Sequence, residues 1–343
     1  MQFLYVLASS ENDFYYEQFL LSITSLKFFT PNADIILLCD SKTKETLAAG
    51  KKEYEKLNCK IISVDAPADM LQIDVSRWLK TSMRRFLSGD FLFVDCDTVI
   101  AEDLSSSAEL IKSGIKFAAC LDKHSLISRH ALSDNIIKNE KKLGFNAYFS
   151  DRHYNSGVIF CADAPETHKI FNRWHELWIF GKGKNISRDQ TSFNIAIQEN
   201  LSYFTELDGI WNCQIGFNGL PYLSESKIIH YFASDLTFDS SPFILASNET
   251  FKQMKETGLI PIDVQKLLGN PRAAFVPESR IIADEVTLLV IHSSFFEMIC
   301  WIRKKIPPLF HFMNSFSSFL KKIVKYFLIK SSRKKSGGTE YYY

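Results

Sequence analysis

A chain of 343 residues, 46% hydrophobic and 23% charged, has ample apolar material for about two domains, or for one α/β domain with an extension. The formal net charge of +1 conceals a split: residues 303–343 carry ten of the 40 Lys and Arg but one of the 39 Asp and Glu, so this tail is +9 and the remainder −8. Seven cysteines, odd in number and without a Cys-x-x-Cys pair, exclude a disulfide framework, and no apolar run reaches the roughly 20 residues that a membrane-spanning helix needs.

From the N-terminus, Phe3 to Leu7 reads as a short buried strand; the start lacks the charges and cleavage site of a signal peptide, so a cytoplasmic location with peripheral membrane contact is expected. Ser10 and Asp13 offer a start signal for a helix over Tyr15 to Phe29, with Phe19, Leu20, Ile23 and Leu26 at helical spacing. Ile35 to Cys39 is a second strand, a helix is expected over about 43–57, and Lys60 to Val64 is a third strand. This βαβαβ order predicts a Rossmann-like, mostly parallel sheet, and the first strand–helix loop lacks the Gly-x-Gly-x-x-Gly of a dinucleotide site.

Ser76 is expected to cap a helix over 77–87 in which Arg77 and Lys80 share a face suited to phosphate; Arg84 and Arg85 fit that role or a solvated face equally. The stretch Phe91 to Ile100 follows: apolar residues run straight into Asp95-Cys96-Asp97. A strand buried on both faces has no use for paired charges, so both aspartates are expected at its carboxyl end, where open α/β sheets bind ligands. Such a pair either caps local N–H groups or converges on a hard divalent cation, and the stretch alone is compatible with both.

Lys116 to Asp122 is another strand ending in a carboxylate, and the polar region 123–145, which has a weak helical pattern, is expected to form a mobile flap. A turn at Asn155-Ser156-Gly157 leads into a strand, and Pro165 opens an aromatic-rich helix. Ser187 and Gln190 have capping-box spacing, which puts Asp189 and Gln190 in the first turn of a helix to Gln198. Leu207 to Asn212 and Lys227 to Tyr231 close this half, with His230 ending a short strand. Beyond about residue 240 the α/β alternation fades. Over Leu309 to Ile329 a Phe-rich helical stripe has Lys321, Lys322 and Lys325 off it, a pattern that fits the interface of an anionic bilayer or packing on the body; the basic residues do not extend onto the sheet, which argues against nucleic acid.

Taken together, Ala8-Ser9, Leu79-Lys80-Thr81, Phe93 to Val99, Asp122, Asn155 to Val158, Asp189-Gln190, Trp211-Asn212 and Ile228 to Tyr231 resemble the GT-A fold glycosyltransferases, most closely family 8, which includes glycogenin and bacterial lipopolysaccharide sugar transferases. The resemblance spans about residues 1–235. It implies that Asp95, Asp97 and His230 hold Mn2+ or Mg2+ against the diphosphate of a nucleotide-sugar, usually a UDP-sugar. Lys80 and Arg77 would add positive charge there, Cys96 would touch the donor through its backbone, and Ala8 and Ser9 would lie against base and ribose. Asp122 and Asn155 would bind sugar hydroxyls, and Asp189 and Gln190 would lie by the anomeric carbon, with retention of configuration. The family's Gly and Lys-Pro-Trp after the histidine are replaced by Phe232-Ala233-Ser234-Asp235, leaving one diphosphate contact unassigned.

The organisation expected is therefore a GT-A domain over 1–240 with helices on both faces of its sheet, an extension over 241–300, a basic amphipathic membrane-associating segment over 301–335, and a disordered tail over 336–343. The activity expected is metal-dependent hexose transfer to a saccharide or lipid-linked saccharide, as in lipopolysaccharide or capsule assembly, at an anionic membrane surface reached through residues 303–335. A sugar-phosphate nucleotidyltransferase and a non-catalytic glycan or membrane adaptor are the alternatives; the former would show a Gly-rich basic first loop, which Ala8 to Asn12 is not.

Overall fold

The computed structural model describes residues 1–49, 58–68, 70–130, 133–145, 151–232, 243–276, 289–291 and 293–335. Strands β1 (Gln2–Leu7), β2 (Asp34–Asp40), β3 (Lys60–Val64), β4 (Phe91–Val94), β6 (Phe117–Cys120), β7 (Val158–Cys161) and β8 (Phe204–Leu207) form one sheet in the order β3-β2-β1-β4-β7-β6-β8. All run parallel except β7, which is antiparallel to both β4 and β6. A smaller sheet joins β5 (Thr98–Ile100), β10 (Ile228–His230) and β9 (Cys213–Gln214) in the order β5-β10-β9.

Side chains alternate across a strand, and both faces of β1, β2, β4, β6 and β7 are covered, so these strands read as near-continuous apolar runs. Phe91 and Phe93 of β4, with Leu4 and Val6 of β1, enter one layer with α3 (Gln72–Ser82), α6 (Pro165–Lys182) and α7 (Gln190–Gln198). Leu92 and Val94, with Phe3, Tyr5 and Leu7, enter the opposite layer with α1 (Tyr15–Phe29) and α2 (Ser41–Ala49). Burial of each such side chain contributes about 1.5–3 kcal/mol. A third cluster packs Val99, Ile229 and Tyr231 against Phe251 and Met254 of α8 (Asn248–Thr257) and Val264 and Leu268 of α9 (Ile262–Leu268). The expected α/β sheet with helices on both faces is what is observed.

Several boundaries differ from expectation. The stretch Phe91 to Ile100 is two strands in two sheets, with Asp95 to Asp97 as the crossing. Helix α3 starts at Gln72, so Ser76 lies inside it, and it gives way to a 3-10 turn at Met83–Arg85. Arg84 is no solvated residue: it is 1% exposed and its guanidinium donates to the carbonyls of Leu87 and Gly89, closing the turn into β4. Leu207 to Asn212 is the end of β8 followed by a 3-10 turn at Gly209–Asn212. In the region 123–145 the weak helical pattern corresponds to a helix over Ser133–Lys142. Residues 50–57, 233–235 and the tail 336–343 lie outside the described residues.

The chain divides into two compact units, Met1–Ser279 and Arg280–Tyr343. In the second, Ser293 Oγ accepts from the Phe296 N–H to cap the helix Ser294–Lys305, and a helix follows over Pro307–Lys335. Among the described residues no helix is long and apolar enough to cross a membrane.

Candidate active site

The crossing from β4 to β5 is fastened through its backbone. Asp95 N–H donates to the Gly157 carbonyl at 2.8 Å, Thr98 Oγ1 to the Asp95 carbonyl at 2.8 Å, and Tyr231 N–H to the Asp97 carbonyl at 3.1 Å. Cys96 turns the other way, its thiol on the Val6 carbonyl at 3.4 Å, which explains why a small apolar residue separates the two carboxylates. Antiparallel pairing sets His230 opposite Thr98, and its Nε2 lies 3.2 Å from Asp97 Oδ1. Lys80, reaching from α3, holds both Asp95 oxygens at 3.0 Å.

The electrostatics follow from burial. Desolvation raises the Asp95 carboxyl above its ordinary range, with Asp97 adding to the effect and Lys80 opposing it. At Asp97 desolvation is outweighed by His230, and the carboxyl is held low. Burial lowers the Lys80 ammonium, but Asp95, Asp189 and Asp97 together outweigh that and raise it, so all three carboxylates are felt at one lysine. One ligand atom each from Asp95, Asp97 and His230 lies within 4.8 Å of the others. Two carboxylates and an imidazole are a donor set for a hard-to-borderline divalent cation. A Cβ on Gly157 would fall 2.4 Å from His230 Cε1 and 2.9 Å from Asp95 Oδ2, so the site closes over a bare Cα and the residues fit such an ion.

The remaining expected residues gather around this centre in varying degree. Asp122 and Asn155 are buried and bonded to each other, Asn155 Nδ2 donating to Asp122 Oδ1 at 3.0 Å, with His130 on Asp122 Oδ2 at 2.9 Å. Asp189 sits at the N-cap of α7, one residue before the helix; its carboxylate makes no capping bond and instead accepts from Ser156 Oγ at 3.4 Å. The Trp174 indole donates to the Asp189 carbonyl at 3.0 Å and pins that corner. Gln190 is the first residue of α7. Ala8 and Ser9 are buried at the end of β1, and Ser9 N–H donates to Thr43 Oγ1 at 3.0 Å. Asp13 collects the loop that follows, accepting from Ser9 Oγ, both donors of Ser10, Tyr15 N–H and Gln72 Nε2.

Arg77 is half-buried and acts on Tyr15, whose hydroxyl is raised by desolvation and by Asp13 and Asp97, with Arg77 opposing. Tyr15 thus feels the charge of Asp97 as well as opening α1, and nothing in its spacing signals the former. Gly157, Ser156 and Asn212 stand in the sequence only as motif members; the contacts of Gly157 and Asn212 with His230 and of Ser156 with Asp189 run across 73, 18 and 33 residues of chain and carry no local signal.

Residues 89–235 match the model of Glycosyl transferase family 8. Among solved structures, an active-site mutant of the galactosyltransferase LgtC is 13% identical with a TM-score of 0.50, covering 77% of this chain and 99% of that one. Mouse xyloside xylosyltransferase 1 is 15% identical with a TM-score of 0.45, over 67% of this chain and 96% of that one. The glycosyltransferase GlyE of Streptococcus pneumoniae TIGR4 is 16% identical with a TM-score of 0.48, over 82% of this chain and 66% of that one. Identities this low speak to the fold. No curated protein sequence matches the chain.

Proposed function

We propose, for a glycosyltransferase that belongs to family 8 through residues 89–235 and has a GT-A fold, that it transfers a hexose from a UDP-sugar, with retention of configuration and with Mn2+ or Mg2+ at Asp95, Asp97 and His230. The convergence of those three side chains carries the reading. When bound, the cation neutralises the charge that appears on the departing diphosphate. Lys80 is the fixed positive charge beside that position, held in line by Asp95. Arg77, three residues before Lys80 on α3, is assigned the diphosphate contact that Phe232 to Asp235 leaves open.

Asp122 and Asn155 shape the sugar subsite. Asp189, aimed at Ser156 rather than spent on capping, keeps a carboxylate free to face positive charge developing at the anomeric carbon. Gln190 orients the sugar from the first turn of α7. The acceptor is a saccharide, and a lipid-linked one accounts for the tail: within the helix Pro307–Lys335, Phe312, Phe316 and Phe319 are exposed, and Lys321 and Lys322 lie on the same helix. Aromatic and cationic residues together suit an anionic membrane surface.

A nucleotide-sugar screen by thermal shift tests the donor assignment. Ligand that binds only the native state raises apparent stability by mass action, about 2.7 kcal/mol at a hundredfold excess over Kd. At least one UDP-sugar is expected to raise Tm with Mn2+ present and to do so far less in EDTA; equal shifts with and without metal, or none across the panel, would reject it.

A further inference from the structure

The wall of the site holds a buried series of amides whose hydrogen-bond senses determine one another. It starts from the backbone: Gly157 N–H donates to Asn155 Oδ1 at 2.9 Å, so that atom is the acceptor end of the amide. Asn155 Nδ2 accordingly faces the carboxylate of Asp122, at 3.0 Å. Asn212 Nδ2 donates to the same Asn155 Oδ1 at 2.9 Å. That leaves Asn212 Oδ1 as the atom 3.1 Å from His230 Nδ1, and a carbonyl oxygen accepts only, so Nδ1 must carry a proton. Nε2, the other ring nitrogen, is then the one directed at Asp97. Asp122, Asn155, Asn212 and His230 are each no more than 5% exposed, and Asn212 is fully buried, so water offers no substitute partner for the Asn212–His230 contact.

The ring is also clamped mechanically. Phe232 stacks on His230 with centroids 3.9 Å apart and planes 10° from parallel, and Gly157 abuts its edge. Phe232 adopts a φ of 54°, a strained conformation for a bulky side chain and one that a loop tolerates only where the surrounding contacts impose it.

We propose that Asn212 is a positioning residue: by accepting the Nδ1 proton of His230 it sets the imidazole tautomer, so that the Nε2 lone pair is available to a divalent cation shared with Asp95 and Asp97. The inference rests on the cation reading of that triad. Without the acceptor, a neutral His230 shifts its proton to Nε2, where it hydrogen-bonds Asp97 and has to be displaced before a cation enters. A partner on the distal nitrogen typically changes metal affinity by about 10–100-fold.

The test is Mn2+ affinity of the full chain, measured by electron paramagnetic resonance, in three proteins. Asn212→Leu, similar in size and without polar atoms, is expected to weaken Mn2+ by about 10–100-fold. Asn212→Asp, which keeps an acceptor for Nδ1–H but loses the donation to Asn155 Oδ1, is expected to lose clearly less Mn2+ affinity than Asn212→Leu, as a carboxylate supports a ligating histidine in the same way. Urea midpoints in EDTA separate this from a general loss of stability. Wild-type affinity in Asn212→Leu, or an equal loss in both variants, would overturn the proposal. Nitrogen-15 spectra of His-labelled wild-type protein decide independently should Asn212→Leu not fold: Nδ1 is expected to be protonated in EDTA and with Mg2+, and a bare Nδ1 would overturn the assignment. Failure of the parent to bind Mn2+ would overturn the cation reading itself, while the nitrogen-15 result would still report on the tautomer.

Discussion

At the scale of single residues, Gly157 sets the tightest limit on the site. A methyl group there meets His230 Cε1 at 2.4 Å, and Asn155 Oδ1 and Asp95 Oδ2 at 2.9 Å, none of them the free end of a flexible chain. Gly157→Ala is therefore expected to cost about 1–3 kcal/mol of stability, as overpacking does, and to weaken Mn2+ binding at least about tenfold, because two ligands are displaced together. Urea unfolding and a Mn2+ titration would show both; unchanged metal affinity would mean that the triad does not close over this glycine. The aspartates are legible in the sequence as a strand-end pair, but their role is not: the stretch alone fits capping or a cation, and only the resemblance that adds Lys80, Asn155, Asp189 and His230 favours the cation. Arg84 is not legible. Its burial depends on carbonyls at Leu87 and Gly89 that only the turn brings to it, and a charge pattern along a helix contains no trace of that.

At the scale of elements, hydrophobic runs located β1, β2, β3 and β4 and the helix Tyr15–Phe29 well, because burial on both faces of a parallel sheet leaves an unambiguous signature. Starts governed by side-chain capping were less legible. Ser187 and Gln190 have the spacing of a capping box, yet α7 begins at Gln190 behind an Asp189 whose carboxylate is engaged by Ser156 from a different part of the chain. Likewise α3 begins before Ser76, with Gln72 drawn to Asp13 of the first loop. The helix Pro307–Lys335 was readable from its stripe of Phe residues. Deleting residues 303–343 removes ten basic residues, each contributing about 1 kcal/mol near an anionic surface. The truncated protein is expected to leave anionic liposomes in a flotation assay while retaining donor hydrolysis; undiminished flotation would reject the membrane role of the tail.

For the whole molecule, three rings buried in the body create a shared acid sensitivity. Burial pulls the pKa of His124, His153 and His175 each down to about 4. The unfolded chain takes up protons on these rings as pH falls through about 6.5, whereas the folded chain resists until about 4, so stability is fully present above that window and lost within it. Glu140 and Asp95, whose carboxyls burial raises to about 7 and about 6, act in the opposite sense over the same window, so the effect is read by difference: the change in unfolding free energy between pH 7.5 and pH 5, from urea unfolding, is expected to differ by about 2 kcal/mol between the parent and His153→Gln, and an identical change in both would mean that this ring charges freely in the native state. The match to Glycosyl transferase family 8 covers residues 89–235, and within it three candidate ligands converge, Asp95 and Asp97 from the crossing between β4 and β5 and His230 from β10 of the smaller sheet. The most direct measurement is release of UDP from UDP-sugars by the full chain and by its Asp97→Asn variant, each with Mn2+ and with EDTA. Release by the parent with Mn2+, abolished by EDTA and reduced at least about a hundredfold in the variant, is the result predicted for electrostatic stabilisation of the leaving group. Release that persists in EDTA, or that the variant sustains at the parental rate, would contradict the account.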